Sequence, residues 1–274
     1  MGSGSKVEMV TVDVGNGSCH MVSGPGGWVM VDGGSTTRTA CAQRTIIPMI
    51  RKMDVSRLDA VIITHANLDH YSAIADIVSR VPVGRVILGP SFMVRARADE
   101  QGPERAFIDV VRMWSVPIEV VIPESRMIIA GLAWRFIHPR FDMIGDHEND
   151  NSLVMRVEAE KSGTGERCMI LFTGDIEESA MRHLMIEQAN MLDAAILEAP
   201  HHGSVRRSTS SFVQLVDPDL VVQSSGRRRL VRDDFGNSIG SRWREATAIS
   251  GAIKVVLKDG GEIEVERQVK DRRR

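Results

Sequence analysis

Four side chains able to bind a metal or move a proton fall within six positions: His65, Asn67, Asp69 and His70. They follow Ala60-Val61-Ile62-Ile63, a short apolar run of the kind buried in a sheet. A strand fixed by the core holds the loop behind it in place, so such a loop can aim several ligands at one point. Imidazole and carboxylate at this spacing suit a divalent cation. The competing reading is a polar turn entering a helix, with Asp69 as its N-terminal cap. Two later apolar runs end in the same way. Cys168 to Phe172 runs into Thr173-Gly174-Asp175, and Ala194 to Leu197 runs into Glu198-Ala199-Pro200-His201-His202-Gly203. Near the start, strand-like segments deliver Asp13-Val14-Gly15-Asn16-Gly17 and Asp32-Gly33-Gly34. Asp13 and Asp32 each read either as carboxylates on the face of the site or as turn residues satisfying nearby backbone N–H groups.

Positioning these loops takes an alternation of strands and helices. The opening is a β-meander: Val7 to Val14, Ser18 to Val22, and Trp28 to Val31 after the Gly24-Pro25-Gly26-Gly27 turn. Helical spacing covers Thr39 to Met53, Ser72 to Arg80, Pro103 to Trp114, Glu177 to Asn190 and Arg242 to Ser250. Strands are expected at 86–89, 118–122, 132–138, 152–159 and 220–223, with a closing hairpin of 253–257 and 263–265 turned at Asp259-Gly260-Gly261. His138, before Pro139, reads as a structural histidine. The polar groups sit after strands in both halves of the chain. Two sheets with helices on both outer faces follow, a layered α/β sandwich.

At 274 residues, with 43% hydrophobic and 26% charged side chains, the chain can bury a large core as an ordinary globular protein. A net charge of −2 gives no overall pull toward nucleic acid or an anionic surface. Cys19, Cys41 and Cys168 are far apart and form no C-x-x-C pair, which argues against a disulfide framework and fits a reducing compartment. The first residues do not resemble a signal peptide, and no apolar run approaches the ~20 residues of a membrane helix. The expectation is a cytoplasmic protein with no membrane partner: a domain spanning 1–274, with 1–6 flexible or tag-like and 267–274 a basic tail. Nothing in the sequence singles out an oligomeric interface.

Thr64-His65-Ala66-Asn67-Leu68-Asp69-His70 resembles the T-H-x-H-x-D-H signature of the metallo-β-lactamase superfamily, with one departure at Asn67. Asp13 to Gly17, Asp32 to Gly34, His138-Pro139, Asn149 to Val154, Leu171 to Asp175 and Pro200 to Ser204 are similar, in order and rough spacing, to the soluble metallo-hydrolase domain of ComEC DNA-uptake proteins. The resemblance covers residues 7–265 and implies a four-layer αββα sandwich. It also implies one or two divalent metal ions, zinc or manganese. His65 and position 67 would serve one site, Asp69, His70 and His202 the other, and Asp175 would bridge them. His202 is preferred to His201 because the family ligand directly precedes a glycine. Asp69, Asp175 and His201 then act at the reacting centre. Asp13, Asp32, Asn149 and Asn151 stand behind the ligands, Asn149, Asn151 or His147 being candidates for a third ligand of the first site.

A bound dication makes water nucleophilic near neutral pH. An amide at position 67 is a poor zinc ligand and a tolerable one for harder ions, so one firm and one weak ion are expected. The family pattern of a His-Pro segment after Ser224-Ser225-Gly226 is absent; Arg227-Arg228-Arg229 stands there instead. With Arg206 and Arg207 these guanidinium groups suit phosphate oxygens. The expected function is a phosphodiesterase or nuclease using a metal-activated water, acting on nucleic acid or a small phosphodiester. The alternatives are a hydrolase of small esters, thioesters or lactones, or a degenerate binding protein because of Asn67. The 4% aromatic content leaves few platforms for stacking bases.

Overall fold

The structure is a computed structural model and describes residues 7–122, 124–145, 147–159, 168–258 and 261–268. Residues 1–6, read above as flexible or tag-like, most of the basic tail and the turn residues Asp259 and Gly260 lie outside the described residues.

The first sheet begins as the expected meander, β1 (Val7–Thr11), β2 (His20–Gly24) and β3 (Gly27–Val31), each pair antiparallel. It continues in parallel through β4 (Ala60–Ile63), β5 (Val86–Leu88) and β6 (Ile118–Val120). The second sheet starts with antiparallel β7 (Arg126–Ile129), β8 (Leu132–His138), β9 (Val154–Ala159) and β10 (Cys168–Phe172). It then runs parallel through β11 (Ala194–Glu198), β12 (Leu220–Gln223) and β13 (Trp243–Ala246). The closing hairpin, β14 (Ile253–Leu257) and β15 (Ile263–Arg267), returns to the first sheet beside β1. The result is an eight-stranded and a seven-stranded sheet.

Strand alternation sorts the apolar side chains into three cores. Ala60 and Ile62 face the second sheet, in a central layer with Trp134, Phe136, Met155 and Phe172. Trp134 and Phe172 stack there with ring centroids 6.2 Å apart. Val61 and Ile63 face outward, under α1 (Ile47–Lys52), α3 (Ile74–Val78), α4 (Pro90–Ala98) and α5 (Pro103–Met113). Leu171, Leu197 and Val221 lie under α6 (Glu178–Glu187), α7 (Thr209–Val216) and α8 (Asp234–Ile239). The architecture is therefore the αββα sandwich expected from the sequence.

Three local readings change. The expected helix over 72–80 is instead a short turn, α2 (Leu68–Tyr71), followed by α3, so His70 lies within a helical turn rather than before one. The expected helix over 242–250 is β13 followed by the single turn α9 (Thr247–Ser250). Its charges have tertiary partners that local periodicity does not show: Arg244 pairs with Asp233 and Glu245 with Arg267. Strand β7 and helices α4, α7 and α8 were not read from the sequence; α7 opens on Thr209-Ser210-Ser211, which reads as loop. Among the described residues no helix is long and apolar enough to cross a membrane.

Candidate metal centre

The parallel segments of both sheets deliver their loops to one end of the sandwich, and the polar residues singled out above meet there. All four residues of β4 are buried, and Thr64, which follows the strand, is buried too. Thr64 O accepts a hydrogen bond from Leu153 N at 2.9 Å, joining this strand end to the second sheet. Asp32, fully buried at the end of β3, accepts from Thr64 N at 2.8 Å and from Thr64 Oγ1 at 2.9 Å. Its Oδ2 also lies 2.7 Å from His70 Nδ1. Asp32 is thus the carboxylate behind His70, one of the two readings its sequence position left open. It fixes the ring so that Nε2 faces inward.

The glycines of the opening motifs have a steric cause. A Cβ on Gly34 would come within 2.5 Å of the Asp69 carbonyl carbon, and one on Gly17 within 2.7 Å of Asp69 O. Ser18 N donates to Asp69 O, and Gly33 N to His70 O, so the Asp69-His70 turn rests on both glycine-rich loops. Asn67 occupies the cap position of α2, without a side-chain capping bond. Asp69 is therefore not the cap, and its carboxylate turns toward His202 Nε2, 3.5 Å away.

The second sheet supplies the remaining groups. Asp175 follows β10, with its N–H donating to Ser152 Oγ at 3.0 Å. Its Oδ1 lies 3.2 Å from His70 Nε2, and its Oδ2 lies 3.5 Å from His202 Nε2 and 3.6 Å from His201 Nε2. His202 Nδ1 donates to Ser224 O at 3.1 Å, which leaves Nε2 directed at the carboxylates. His201 and His202 both have positive φ, 47° and 54°, a backbone state non-glycine residues adopt at a cost of about 1–3 kcal/mol each. The strained turn is what places two adjacent imidazoles on Asp175.

One ligand atom from each of Asp69, His70, Asp175 and His202 lies within 4.8 Å of the others. His70 Nε2 and His202 Nε2 are buried and meet no partner with hydrogen-bonding geometry; nor does His65 Nε2. Buried polar nitrogens left without partners are costly, and converging on two carboxylates they fit a dication. Burial raises the Asp175 carboxyl, but the His202, His70 and His65 imidazoles outweigh it and hold its pKa well below the usual value. Burial also lowers His65, and the neighbouring His70 adds to this, to about 3, so its ring is neutral and free to ligate.

The other predicted site residues divide. His65 Nε2 lies 4.0 Å from Asp175 Oδ2. Asn67 Nδ2 donates to Asn149 Oδ1 at 2.6 Å, and Asn149 Nδ2 to Glu177 Oε1 at 2.9 Å. The two amides beside His65 are therefore tied to one another. Asn151 does not stand behind a ligand: its side chain clamps both backbone groups of Gly145. His147 lies on that same loop, at the cap of the 3-10 turn Glu148–Asn151. Asp13 does not stand behind a ligand either; it takes the other reading its position left open, a turn carboxylate that accepts from Gly15 N, and it pairs with Arg38 at 2.6 Å. His138 is structural as read, with Nε2 donating to Asp150 O.

Arg206 is held by Glu177 at 2.6 Å, the carboxylate that also lies 3.0 Å from His201 Nδ1, so its charge is already matched inside the site. Arg207 is exposed on the adjoining turn. Arg227, Arg228 and Arg229 lie on a different wall, in the 3-10 turn Arg227–Leu230 after β12.

Two glutamates were missed. Glu177 links Asn149, His201 and Arg206. Glu198, buried at the end of β11, accepts from Thr173 N at 2.9 Å and Gly174 N at 3.0 Å, and lies 2.9 Å from His20 Nε2. It braces the turn that carries Asp175. The available signal was a carboxylate ending an apolar run, the same signal that marked Asp175.

A family model for the metallo-β-lactamase superfamily matches residues 12–147. The chain is 26% identical over 237 residues to ComE operon protein 3 of Bacillus subtilis, covering 81% of this chain and 29% of that protein. It is 26% identical over 260 residues to competence protein ComA of Neisseria gonorrhoeae, covering 92% of this chain and 33% of that one. The chain thus spans about a third or less of the length of these relatives. Among solved structures, it resembles a diphosphatase from the PhnP family with a TM-score of 0.53 and 14% identity, over 87% of this chain and 94% of that chain; this is a likeness of fold. The family match over residues 12–147, the order of the motifs and the fold all make this chain similar to the metallo-β-lactamase superfamily.

Proposed function

We propose that this chain is a metal-dependent phosphodiester hydrolase whose substrate class is nucleic acid. The observation that carries the reading is the convergence of Asp69, His70, Asp175 and His202 ligand atoms within 4.8 Å. A divalent ion held there, zinc or manganese by the donor set, would supply Lewis acidity and a water that is nucleophilic near neutral pH.

The chain's own groups prepare that position. Asp32 orients His70, and the Ser224 carbonyl sets the tautomer of His202. Asp175, with its pKa held low, stays ionised at neutral pH and faces every imidazole of the cluster. His201, with its side chain 20% exposed, is the imidazole an incoming substrate would meet, and Glu177 lies 3.0 Å from its Nδ1. The His65 side has two amides where stronger donors would bind, so it is the weaker of the two metal positions. The competence names of the relatives, and the resemblance to DNA-uptake proteins, favour nucleic acid over a small ester.

The test is elemental analysis of the purified protein, paired with hydrolysis of bis(p-nitrophenyl) phosphate and labelled single-stranded DNA in Mn²⁺. About one ion per chain is expected, with cleavage abolished in Asp175→Ala and His202→Ala. Hydrolysis of carboxylic esters without phosphodiester cleavage would replace this reading with the small-ester one. Protein without metal or cleavage in excess Mn²⁺ would make it a binding protein.

A further inference from the structure

Arg227, Arg228, Arg229 and Arg232 fall within six residues and are all exposed. Their neighbours Arg206, Arg242 and Arg244 are paired with Glu177, Asp217 and Asp233. Among the described residues, no such pair engages the four. With Asn16 and Thr37 they line a groove of ≈ 900 Å³, in which Asp234 is the acidic lining residue. Exposed guanidinium groups gathered on one wall repel each other unless an anion is near, so their arrangement has a cost that a ligand would remove.

The groove is coupled in space to the metal centre. Its opposite wall is the Gly15-Asn16 turn, and a Cβ on Gly226 would lie 3.4 Å from Asn16 N. Immediately after that turn, Gly17 O accepts from Ser224 Oγ at 2.8 Å, and Ser18 N donates to Asp69 O at 3.0 Å. One loop therefore separates the arginines from Asp69.

We infer that this groove is an exosite for single-stranded nucleic acid, gripping phosphates that flank the one placed at the metal centre. The position of the reacting phosphate rests on the phosphodiesterase reading; the grip does not. Four unmatched positive charges exceed the single charge of one phosphodiester and match a run of them. Asp175 and His202 are 3% and 5% exposed, a recess that a flexible single strand reaches and a stiff duplex does not. No aromatic side chain lines the groove, so the contacts fall on the backbone and binding is indifferent to base sequence.

The experiment is fluorescence anisotropy of the full chain with a labelled 20-mer oligothymidylate in EDTA, across a salt series. Arg227→Ala/Arg229→Ala is compared with Arg97→Ala/Arg112→Ala, which removes the same charge from exposed arginines outside the groove; circular dichroism checks that both fold. Loss of two phosphate contacts lowers the salt slope by about 1.4, and Kd rises at least about tenfold at low salt. The control pair leaves both unchanged. Equal binding by the groove variant, or equal competition by inorganic phosphate or polyglutamate at matched charge, overturns the exosite. If the wild type binds through these arginines but cleaves no phosphodiester, the exosite stands and the hydrolase reading falls. Cleavage of bis(p-nitrophenyl) phosphate with arginine-independent oligonucleotide binding removes the exosite alone.

Discussion

Asp32 Oδ2 stands 2.7 Å from His70 Nδ1, and both side chains are buried. The same carboxylate takes both the N–H and the hydroxyl of Thr64, so it holds a ligand and the strand end beside it in one geometry. Asp32→Asn keeps the shape but weakens that hold. Metal affinity is expected to fall about 10–100-fold. Competition with a chromophoric chelator measures this; affinity within a factor of two of the native protein would refute it.

Asn67 and Asn149 are joined at 2.6 Å beside His65. Asn67→Asp replaces the donor amide with a carboxylate, which Asn149 Oδ1, itself an acceptor, cannot satisfy and a cation can. The added charge strengthens the His65 side of the site. Metal content is expected to rise from about one to about two ions per chain in Mn²⁺, read by elemental analysis after dialysis. Unchanged stoichiometry would mean that the amide pair is not what weakens the second position.

Glu198 gives a pH signature. Burial raises its carboxyl, but the His20 imidazole and the Thr173 and Gly174 N–H groups outweigh this and hold it at about 2, against an ordinary value of 4.5. A carboxyl with a lowered folded pKa adds stability that is complete above about pH 4.5 and is lost as pH falls through about 2. The contribution is on the order of 3 kcal/mol. Urea unfolding from pH 7 to pH 2.5 should show native stability falling more steeply than that of Glu198→Gln below pH 4.5. Parallel curves would remove Glu198 from the account.

Phe172 ends the strand that carries Asp175 and stacks on Trp134 between the sheets. It also meets the His20 ring at 5.4 Å. Phe172→Ala empties a site with no exposed surface and is expected to cost about 3–5 kcal/mol. Chemical denaturation measures it, and a loss under 1 kcal/mol would show that the central layer collapses around the gap.

The sequence showed the layers well because their signals are local. Buried runs such as Ala60 to Ile63 and Ala194 to Leu197 end in polar residues, and those ends became the four-residue cluster. Partners set by tertiary pairing were not visible. Glu198 looks like the last residue of a strand; only the parallel pairing of β10 with β11 brings it under Thr173 and Gly174. Arg206 and Arg227 looked alike as surface cations, and Glu177 makes them different by neutralising one of them. Trp243 to Ala246 looked helical because its charges are spaced for solvent, while their partners Asp233 and Arg267 lie on other elements.

The ligand set is split between the two sheets, with Asp69 and His70 after β4 and Asp175 and His202 after β10 and β11. An ion seated among them would act as a clasp across the open end of the sandwich. Loading and folding then become one equilibrium: whatever free energy the ion gains on binding is added to the resistance of the sheets to separation. Chelation should lower the melting temperature along with any activity, and a cell short of the metal would hold not merely an idle hydrolase but a looser one, its halves parting first at the end where they meet substrate.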